Sequence, residues 1–206
     1  MLIDIHAENP DQRKIDQVVS IIRGGGVAII PTDTVYALVC DIYNHKAIDK
    51  VCRIKNVKLE KSNLSFLCRD LANISTYTRA FDRSIYKLLN RSLPGPYTFI
   101  LTASSEVPSI FRSKKKTIGI RIPDHRAVFG ILDGLGNPLM STSLHDQDKI
   151  VVYPTDPSDI FEKYEKLVDV IVDGGYGGNT ASTIIDCTGN EPVVVRQGAG
   201  NIDVLT

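Results

Sequence analysis

Apolar residues recur at helical spacing early in the chain. A first helix is predicted over residues 11–23, because apolar side chains are spaced there by three or four positions: Ile15, Val18, Val19 and Ile22. Pro10 suits the first turn of this helix, and Gly24 ends it. Similar patterns predict further helices near residues 45–55, 82–91, 125–135 and 157–167.

Short apolar runs between glycines and prolines predict strands. The first covers residues 27–30, which follow three glycines and stop at Pro31. Comparable runs predict strands at 64–68, 97–103, 117–122, 138–143, 168–172, 182–186 and 193–196. Because helices and strands alternate, the predicted fold class is α/β or α+β, with one domain over residues 1–206.

The composition is that of a globular protein. The chain has 206 residues, of which 43% are apolar, enough to bury a sizeable core. No stretch approaches the roughly 18 to 20 apolar residues of a membrane span. The first residues also lack the basic-then-apolar order of a signal peptide. We therefore expect a soluble, cytoplasmic protein with no membrane partner.

The cysteines and histidines show no metal-binding pattern. The cysteines at 40, 52, 68 and 187 form no CxxC pair, so reduced, buried thiols are expected. The histidines at 6, 45, 125 and 145 include no pair at metal-ligand spacing. We therefore predict no bound structural metal.

Charge is unevenly distributed although the net charge is zero. Residues 79–121 carry nine Lys or Arg against two acids, whereas residues 146–203 carry eleven acids against four bases. Cations gathered on one face would attract the phosphates of a nucleotide or of RNA. The alternative is that these cations lie on separate, solvated helix surfaces.

A cluster of polar side chains follows the first predicted strand. Thr32, Asp33, Thr34 and Tyr36 come directly after Pro31, at a strand end of the kind where α/β proteins place ligand groups. The same residue types also form ordinary turns. The preceding glycines come before a strand and not before a helix, which argues against a phosphate-binding loop.

The segment PTDTVYAL at residues 31–38 resembles the opening motif PT(D/E)TxYGL of the YrdC/YciO family, the threonylcarbamoyl-AMP synthase superfamily. Later segments continue the resemblance in order: LPGPYTFIL at 93–101, TIGIRIPDH at 117–125, LMSTS at 139–143, DGG at 173–175, STIIDCT at 182–188 and VVVRQG at 193–198. CRIK at 52–55 and CRDL at 68–71 are most similar to the YciO branch.

This resemblance implies both a fold and an activity. The implied fold is a twisted, open, mixed β-sheet flanked by helices, with a concave basic face that holds the ligand. The implied activity joins L-threonine, bicarbonate and ATP, with Mg²⁺ on the phosphates, into threonylcarbamoyl-AMP for tRNA modification. The implied partners are a nucleotide, L-threonine and double-stranded RNA or tRNA.

The resemblance also assigns site residues. Those that match catalytic positions are Lys55, Lys61, Arg121 and Ser143. Those that match substrate-binding positions are Thr32, Tyr36, Thr117, Ser141 and Ser182. Those that match nucleotide-binding positions are Lys58, His145 and Arg196.

Two motifs that clamp ATP in the synthases are altered. The KxR motif reads Lys55-Asn56-Val57, and the SxN motif reads Ser143-Leu144-His145. Valine supplies none of the donors of a guanidinium fork, so synthesis of reduced efficiency is expected. Two alternatives remain: a non-catalytic module that binds double-stranded RNA or tRNA, and a hydrolase of a related carbamoyl-adenylate.

Overall fold

The structure, a computed structural model, describes residues 1–59, 64–111, 116–144 and 152–205. Its strands are β1 (Leu2–Asp4), β2 (Ala28–Ile30), β3 (Ala37–Asp41), β4 (Ser65–Leu67), β5 (Tyr97–Thr102), β6 (Thr117–Arg121), β7 (Leu139–Ser143), β8 (Val170–Asp173), β9 (Thr183–Asp186) and β10 (Val193–Arg196). Its α-helices are α1 (Gln12–Arg23), α2 (His45–Ile54), α3 (Leu71–Tyr77), α4 (Arg83–Ser92), α5 (Arg126–Leu135) and α6 (Pro157–Tyr164).

The helices begin and end where their sequences provide caps. The Asp11 carboxylate accepts a hydrogen bond from the amide of Arg13 at 2.8 Å, and the Asn44 side chain accepts one from Ala47 at 3.0 Å. Gly136 ends α5 in the left-handed conformation, with φ of 83°. The five predicted helices are confirmed, and α3 is an additional one.

All the described strands form one mixed sheet in the order β1-β8-β2-β3-β7-β4-β6-β5-β9-β10. Parallel and antiparallel neighbours alternate irregularly: β4 runs parallel to β6 and antiparallel to β7. The predicted fold class, a mixed sheet flanked by helices, is confirmed. Two strands, β1 and β3, were not predicted.

Helices cover the two faces of the sheet unequally. On one face, α1 and α5 pack over strands β1, β8, β2, β3, β7 and β4. On the opposite face, the core contains buried residues of α2, α3, α4 and α6 together with residues from β2 through to β9. All four cysteines are free and buried, as predicted.

The cover provided by α1 and α5 stops at β4. Beyond β4 on that face, Gly119 of β6, Ile100 of β5 and Ile184 of β9 are half-buried, although their strands lie inside the sheet. No described helix contributes to a core over these strands on this side. We call the surface formed here by β6, β5, β9 and β10 the open face.

No helix in the described ranges is long and apolar enough to cross a membrane.

Candidate functional site

Strand alternation brings the predicted polar residues to one side of the sheet. Ile118 and Ile120 of β6 point into the core of the opposite face, so Thr117 and Arg121 point to the open face. The same argument applies to the other strands. It places on this side the predicted residues Ser141 and Ser143 of β7, and Ser182, which directly precedes β9.

Strand register joins two arginines in one row across the open face. Arg196 pairs with Ile184, and Ile184 pairs with Thr98. Continuing the register of β5 and β6 by one residue places Thr98 beside Arg121. Burial lowers the pKa of Arg121, the carboxylate of Asp33 partly offsets this, and the positive charge of Arg196 lowers the pKa further. The two guanidinium groups are therefore within electrostatic range of each other, in a setting that favours an anionic ligand.

The segment between β2 and β3 holds Arg121 in place. Nη2 of Arg121 donates to Oδ1 of Asp33 and lies 2.7 Å from Oγ1 of Thr34. Its distance to Oγ1 of Thr32 is 3.5 Å, and the Thr32 hydroxyl also donates to the carbonyl of Val35 at 2.7 Å. The side chains of Arg121 and Asp33 are only 8% and 12% exposed. PTDTVYAL therefore forms a wall that fixes a buried ion pair.

Three buried polar atoms around this ion pair have no hydrogen-bond partner among the described residues. They are Oδ2 of Asp33, Nε of Arg121 and Nδ1 of His125. Asp33 lies close enough to His125 to act on its charge. Buried polar atoms in native proteins are almost always paired. The unpaired atoms of Asp33 and Arg121 therefore make the surroundings of this ion pair a candidate ligand site.

Tyr36 supports a neighbouring turn. It is fully buried, its hydroxyl donates to the carbonyl of Gly175 at 2.7 Å, and it accepts from the amide of Gly174 at 3.2 Å. A Cβ at Gly177 would lie 2.7 Å from the Tyr36 ring, so glycine is required for this close approach. The contact between Tyr36 and substrate stays a prediction, and what the structure shows is a support for the wall.

The late motif residues are tied to the same face. The hydroxyls of Ser182 and Thr98 lie 2.8 Å apart, and Nη2 of Arg196 donates to the carbonyl of Ser182 at 2.7 Å. Ser182 and Thr98 are buried, whereas Arg196 is exposed. These contacts orient the Arg196 side chain across the end of β9.

The residues predicted for the ATP side are only partly described. Lys55 is buried at the end of α2, and its Nζ donates to the carbonyl of Ser143 at 3.2 Å. Lys58 is exposed, and Val57 beside it is 40% exposed. Lys61 and His145 lie outside the described residues. Lys55 and Ser143 therefore meet, whereas Lys58 forms no hydrogen bond or ion pair with another described residue.

The described cations of residues 79–121 do not share one face. Three cations are exposed along α4: Arg83, Lys87 and Arg91. The apolar side of α4 packs on the side of the sheet opposite the open face. Arg121 lies on the open face. Of the two alternatives, separate helix surfaces therefore hold for these residues, because α4 places its cations on the side opposite Arg121.

A separate shallow pocket of about 200 Å³ lies beside the first turn of α4, lined by residues including Arg79, Asp82, Ser84, Thr188 and Asn190. It contains none of the predicted site residues. Within the described residues, no group of three or more His, Cys, Asp or Glu side chains is arranged to hold a metal ion.

Sequence reasoning missed Thr98 and His125, and it named Asp33 and Thr34 as polar residues at a strand end without giving either a role. Asp33 and Thr34 lie inside the first motif, and His125 ends the segment TIGIRIPDH. Their place in these motifs was the available signal. Thr98 had no signal of its own, because its role depends on the pairing of β5 with β9.

The fold and the site together define a class of protein. Part of one face of a mixed sheet is left uncovered by helices, and it carries a buried and an exposed arginine beside several hydroxyl groups. The chain belongs to the Sua5/YciO/YrdC family. The model of that family, which carries the description telomere recombination, matches residues 20–198.

Individual relatives extend the comparison. The chain is 42% identical over 199 residues to the uncharacterised protein YciO of Escherichia coli, covering 96% of this chain and 95% of that protein. It is 32% identical over 209 residues to a putative threonylcarbamoyl-AMP synthase of Methanocaldococcus jannaschii, covering 99% and 96%.

Solved structures share the fold. The crystal structure of E. coli YciO superposes with a TM-score of 0.93 at 40% identity, covering 100% of this chain and 99% of that one. The crystal structure of P. abyssi Sua5 in complex with L-threonine has a TM-score of 0.89 at 24% identity, covering 98% of this chain and 59% of that one.

Proposed function

We propose that the open face binds L-threonine and ATP and that the protein makes threonylcarbamoyl-AMP, more slowly than the synthases of its family. One observation carries this proposal: Arg121 is buried, is held in place by the first motif, and lies in the same row of the open face as Arg196. A fixed guanidinium of this kind suits a carboxylate, which it can bind through two parallel hydrogen bonds.

In the proposed reaction, different residues of the open face bind the amino acid and the nucleotide. The amino group of threonine attacks the carbon of bicarbonate, giving a carbamate and water. The carbamate oxygen then attacks the α-phosphorus of ATP, and pyrophosphate leaves. Arg121 and the nearby hydroxyls hold the amino acid. Arg196 and Lys55 supply positive charge where the phosphates carry negative charge, and Mg²⁺ enters as part of the MgATP substrate.

The expected rate is low because of residue 57. The side chain of Val57 is apolar and 40% exposed, so it provides no hydrogen-bond donor to the phosphates. Loss of one such donor lowers a catalysed rate by about a hundred- to a thousandfold. Lys58, one residue away, supplies charge but not a planar fork of donors.

The alternatives are less well supported. A shape-led RNA-binding module needs its cations on one surface, whereas the described cations of α4 and Arg121 lie on opposite faces. A hydrolase would use the same pocket with water as the acceptor. It would release phosphate products from nucleotide without requiring L-threonine.

The direct test is product formation. Purified protein is incubated with MgATP, L-threonine and bicarbonate, and threonylcarbamoyl-AMP and pyrophosphate are measured by mass spectrometry and a coupled assay. The proposal predicts product that depends on all three substrates and disappears in Arg121→Lys. Product no higher than in the absence of protein would overturn it. Nucleotide breakdown that does not depend on threonine would instead support the hydrolase.

A further inference from the structure

The solvent side of α4 carries cations without counter-ions. Arg83 and Lys87 lie about one turn apart on this side, and Arg79 is exposed in the segment just before the helix. None of these three side chains forms an ion pair or a hydrogen bond with another described residue. Asp82 is the only acid between residues 79 and 92. Because the whole chain has equal numbers of acids and bases, this surface is a local excess of positive charge.

An exposed aromatic ring lies beside these cations. Tyr86 is 49% exposed and follows Arg83 by three residues. It lines a cleft of about 340 Å³ together with Ser75, Arg79 and Phe81. A cleft with aromatic walls and a guanidinium group beside them suits a flat, unpaired base that is attached to a phosphate.

The cations of α4 follow the direction of the helix. Arg83 and Lys87 are four residues apart, which is about 6 Å along the axis of an α-helix. Arg91 continues the row by a further turn, although its guanidinium also donates to the carbonyl of Val204. A row of like charges suits a partner whose anionic groups are also spaced along a chain, and a nucleic acid backbone has this form.

Two other kinds of partner fit this surface less well. The aliphatic residues Ile85, Leu88 and Leu89 of α4 are all buried in the core, so the helix has no free apolar side to insert into a lipid surface. The centre of a protein interface is typically apolar and poor in charged residues. The exposed side of α4 offers only Tyr86 as a large apolar group.

We propose that α4 and the segment before it form a binding surface for single-stranded RNA. The side chains of Arg79, Arg83 and Lys87 contact phosphates, and an unpaired base stacks on the ring of Tyr86. This surface lies on the side of the sheet opposite the open face. It is therefore separate from the site proposed for L-threonine and ATP, and it does not depend on the proposed synthesis.

A second cleft favours RNA over DNA. It lies beside the first turn of α4, has a volume of about 200 Å³, and shares Arg79 with the Tyr86 cleft. Hydroxyl and amide groups line it, from Ser84, Thr188 and Asn190. Such groups pair with the 2′-hydroxyl groups that distinguish RNA from DNA.

Fluorescence anisotropy tests the cations with a labelled, unpaired RNA of about 12 nucleotides, which is within the site sizes of single-strand binders. The charge variant combines Arg79→Gln, Arg83→Gln and Lys87→Gln. Each phosphate contact with a single strand contributes about 0.7 to the slope of log affinity against log salt. That slope should therefore be less steep by about 2 in the charge variant. The control variant removes the same charge from exposed cations elsewhere, by Arg13→Gln, Lys46→Gln and Lys166→Gln, and should bind RNA like the wild type.

Tyr86 is tested separately. Tyr86→Leu should bind the RNA about 5- to 150-fold more weakly, the value of one stacked base, whereas Tyr86→Phe keeps the ring and should bind like the wild type. Duplex RNA, whose bases are already paired, should bind more weakly than the single strand. Single-stranded DNA should also bind more weakly than RNA. All the substituted side chains are exposed, and thermal unfolding checks that each variant is folded.

Several outcomes would overturn the proposal. One is no RNA binding by the wild type at about 50 mM salt, where phosphate contacts are strong. Another is equal affinity and equal salt dependence in the charge variant and the control variant. Equal binding of duplex and single strand would exclude base stacking, and equal binding of DNA would exclude selection of RNA. Tighter binding of poly-L-glutamate than of RNA, lost in the charge variant, would identify an acidic polypeptide as the partner instead. Because these assays contain neither ATP nor L-threonine, none of their results decides the synthase proposal.

Discussion

The hydroxyl of Tyr36 donates a hydrogen bond to the carbonyl of Gly175 across 139 residues of sequence, at a distance of 2.7 Å. The bond joins the first motif to the glycine-rich turn after β8, and the amide of Gly174 donates back to the same hydroxyl. Burial raises the pKa of Tyr36 to about 12. The phenol therefore keeps its proton at neutral pH and remains a donor.

Tyr36→Phe should destabilise the protein without changing its fold. Removing the hydroxyl takes away the partner of two backbone groups in the part-buried 174–175 turn, which costs about 0.5 to 1.5 kcal/mol of unfolding free energy. Urea denaturation measures this difference. Tyr43→Phe is the control: Tyr43 is 54% exposed, so water replaces its hydroxyl contact with Tyr77. Equal stability of Tyr36→Phe and wild type would show that the bond to Gly175 contributes nothing.

The ion pair of Arg121 and Asp33 predicts strong coupling between two substitutions. Arg121→Gln leaves the Asp33 carboxylate buried without its cation and should lower the unfolding free energy by about 3 to 5 kcal/mol. The double variant Arg121→Gln with Asp33→Asn should lose less than the sum of the two single losses, by about 0.5 to 3 kcal/mol.

The control for this cycle is the exposed pair of Arg69 and Asp133, whose side chains are 43% and 56% exposed. Arg69→Gln should cost only about 0.2 to 1 kcal/mol, as expected for a solvated ion pair. Additive losses at Arg121 and Asp33 would mean that the two side chains do not interact in solution.

Much of this fold was predictable, for reasons that differ between elements. Helix α1 has an apolar stripe and a capping aspartate, both of which are local signals. Strand β3 was missed because its first four residues are all buried, so it has no polar alternation, and because it directly follows residues that suggest a turn. Strand β1 has three residues, and it exists through its parallel pairing with β8.

The site was predictable in part only. Period-two alternation puts Thr117 and Arg121 on one face of β6 from sequence alone. That Arg196 lies in the same row depends on the order β6-β5-β9-β10, which no local pattern contains. The pairing of Asp33 with Arg121 joins residues 88 positions apart, so the motif contained Asp33 but gave no sign of its partner.

His125 predicts a pH dependence of stability. Burial lowers its pKa from the ordinary value of 6.5, and the nearby carboxylates of Asp33, Glu8 and Asp124 only partly offset this. Below pH 6.5 the unfolded chain therefore binds a proton that the folded protein does not bind. The stability that depends on neutral His125 is fully present above pH 6.5, and it is lost as the pH falls towards the lowered pKa.

The measurement compares thermal unfolding of wild type and His125→Gln between neutral and mildly acidic pH. The stability of the variant relative to wild type should rise as the pH falls below 6.5. His45→Gln, at an exposed histidine, should follow the wild-type profile. Parallel profiles for wild type and His125→Gln would contradict the prediction.

Residue 57 offers a gain-of-function test of the proposed synthesis. Val57→Arg restores the guanidinium expected from the KxR pattern, at a position where the valine is 40% exposed. We expect the rate of threonine-dependent pyrophosphate release to rise by about a hundred- to a thousandfold, the value of one donor at a developing negative charge. Stability should change by no more than about 0.5 kcal/mol, as for most surface substitutions.

Val57→Lys separates charge from geometry, because lysine carries the charge without the planar fork of donors. It should raise the rate by less than Val57→Arg does. An unchanged rate in Val57→Arg, with L-threonine still bound, would mean that the loss of the guanidinium does not limit synthesis. The departure at Val57 would then mark a change of substrate and not a slower form of the same reaction.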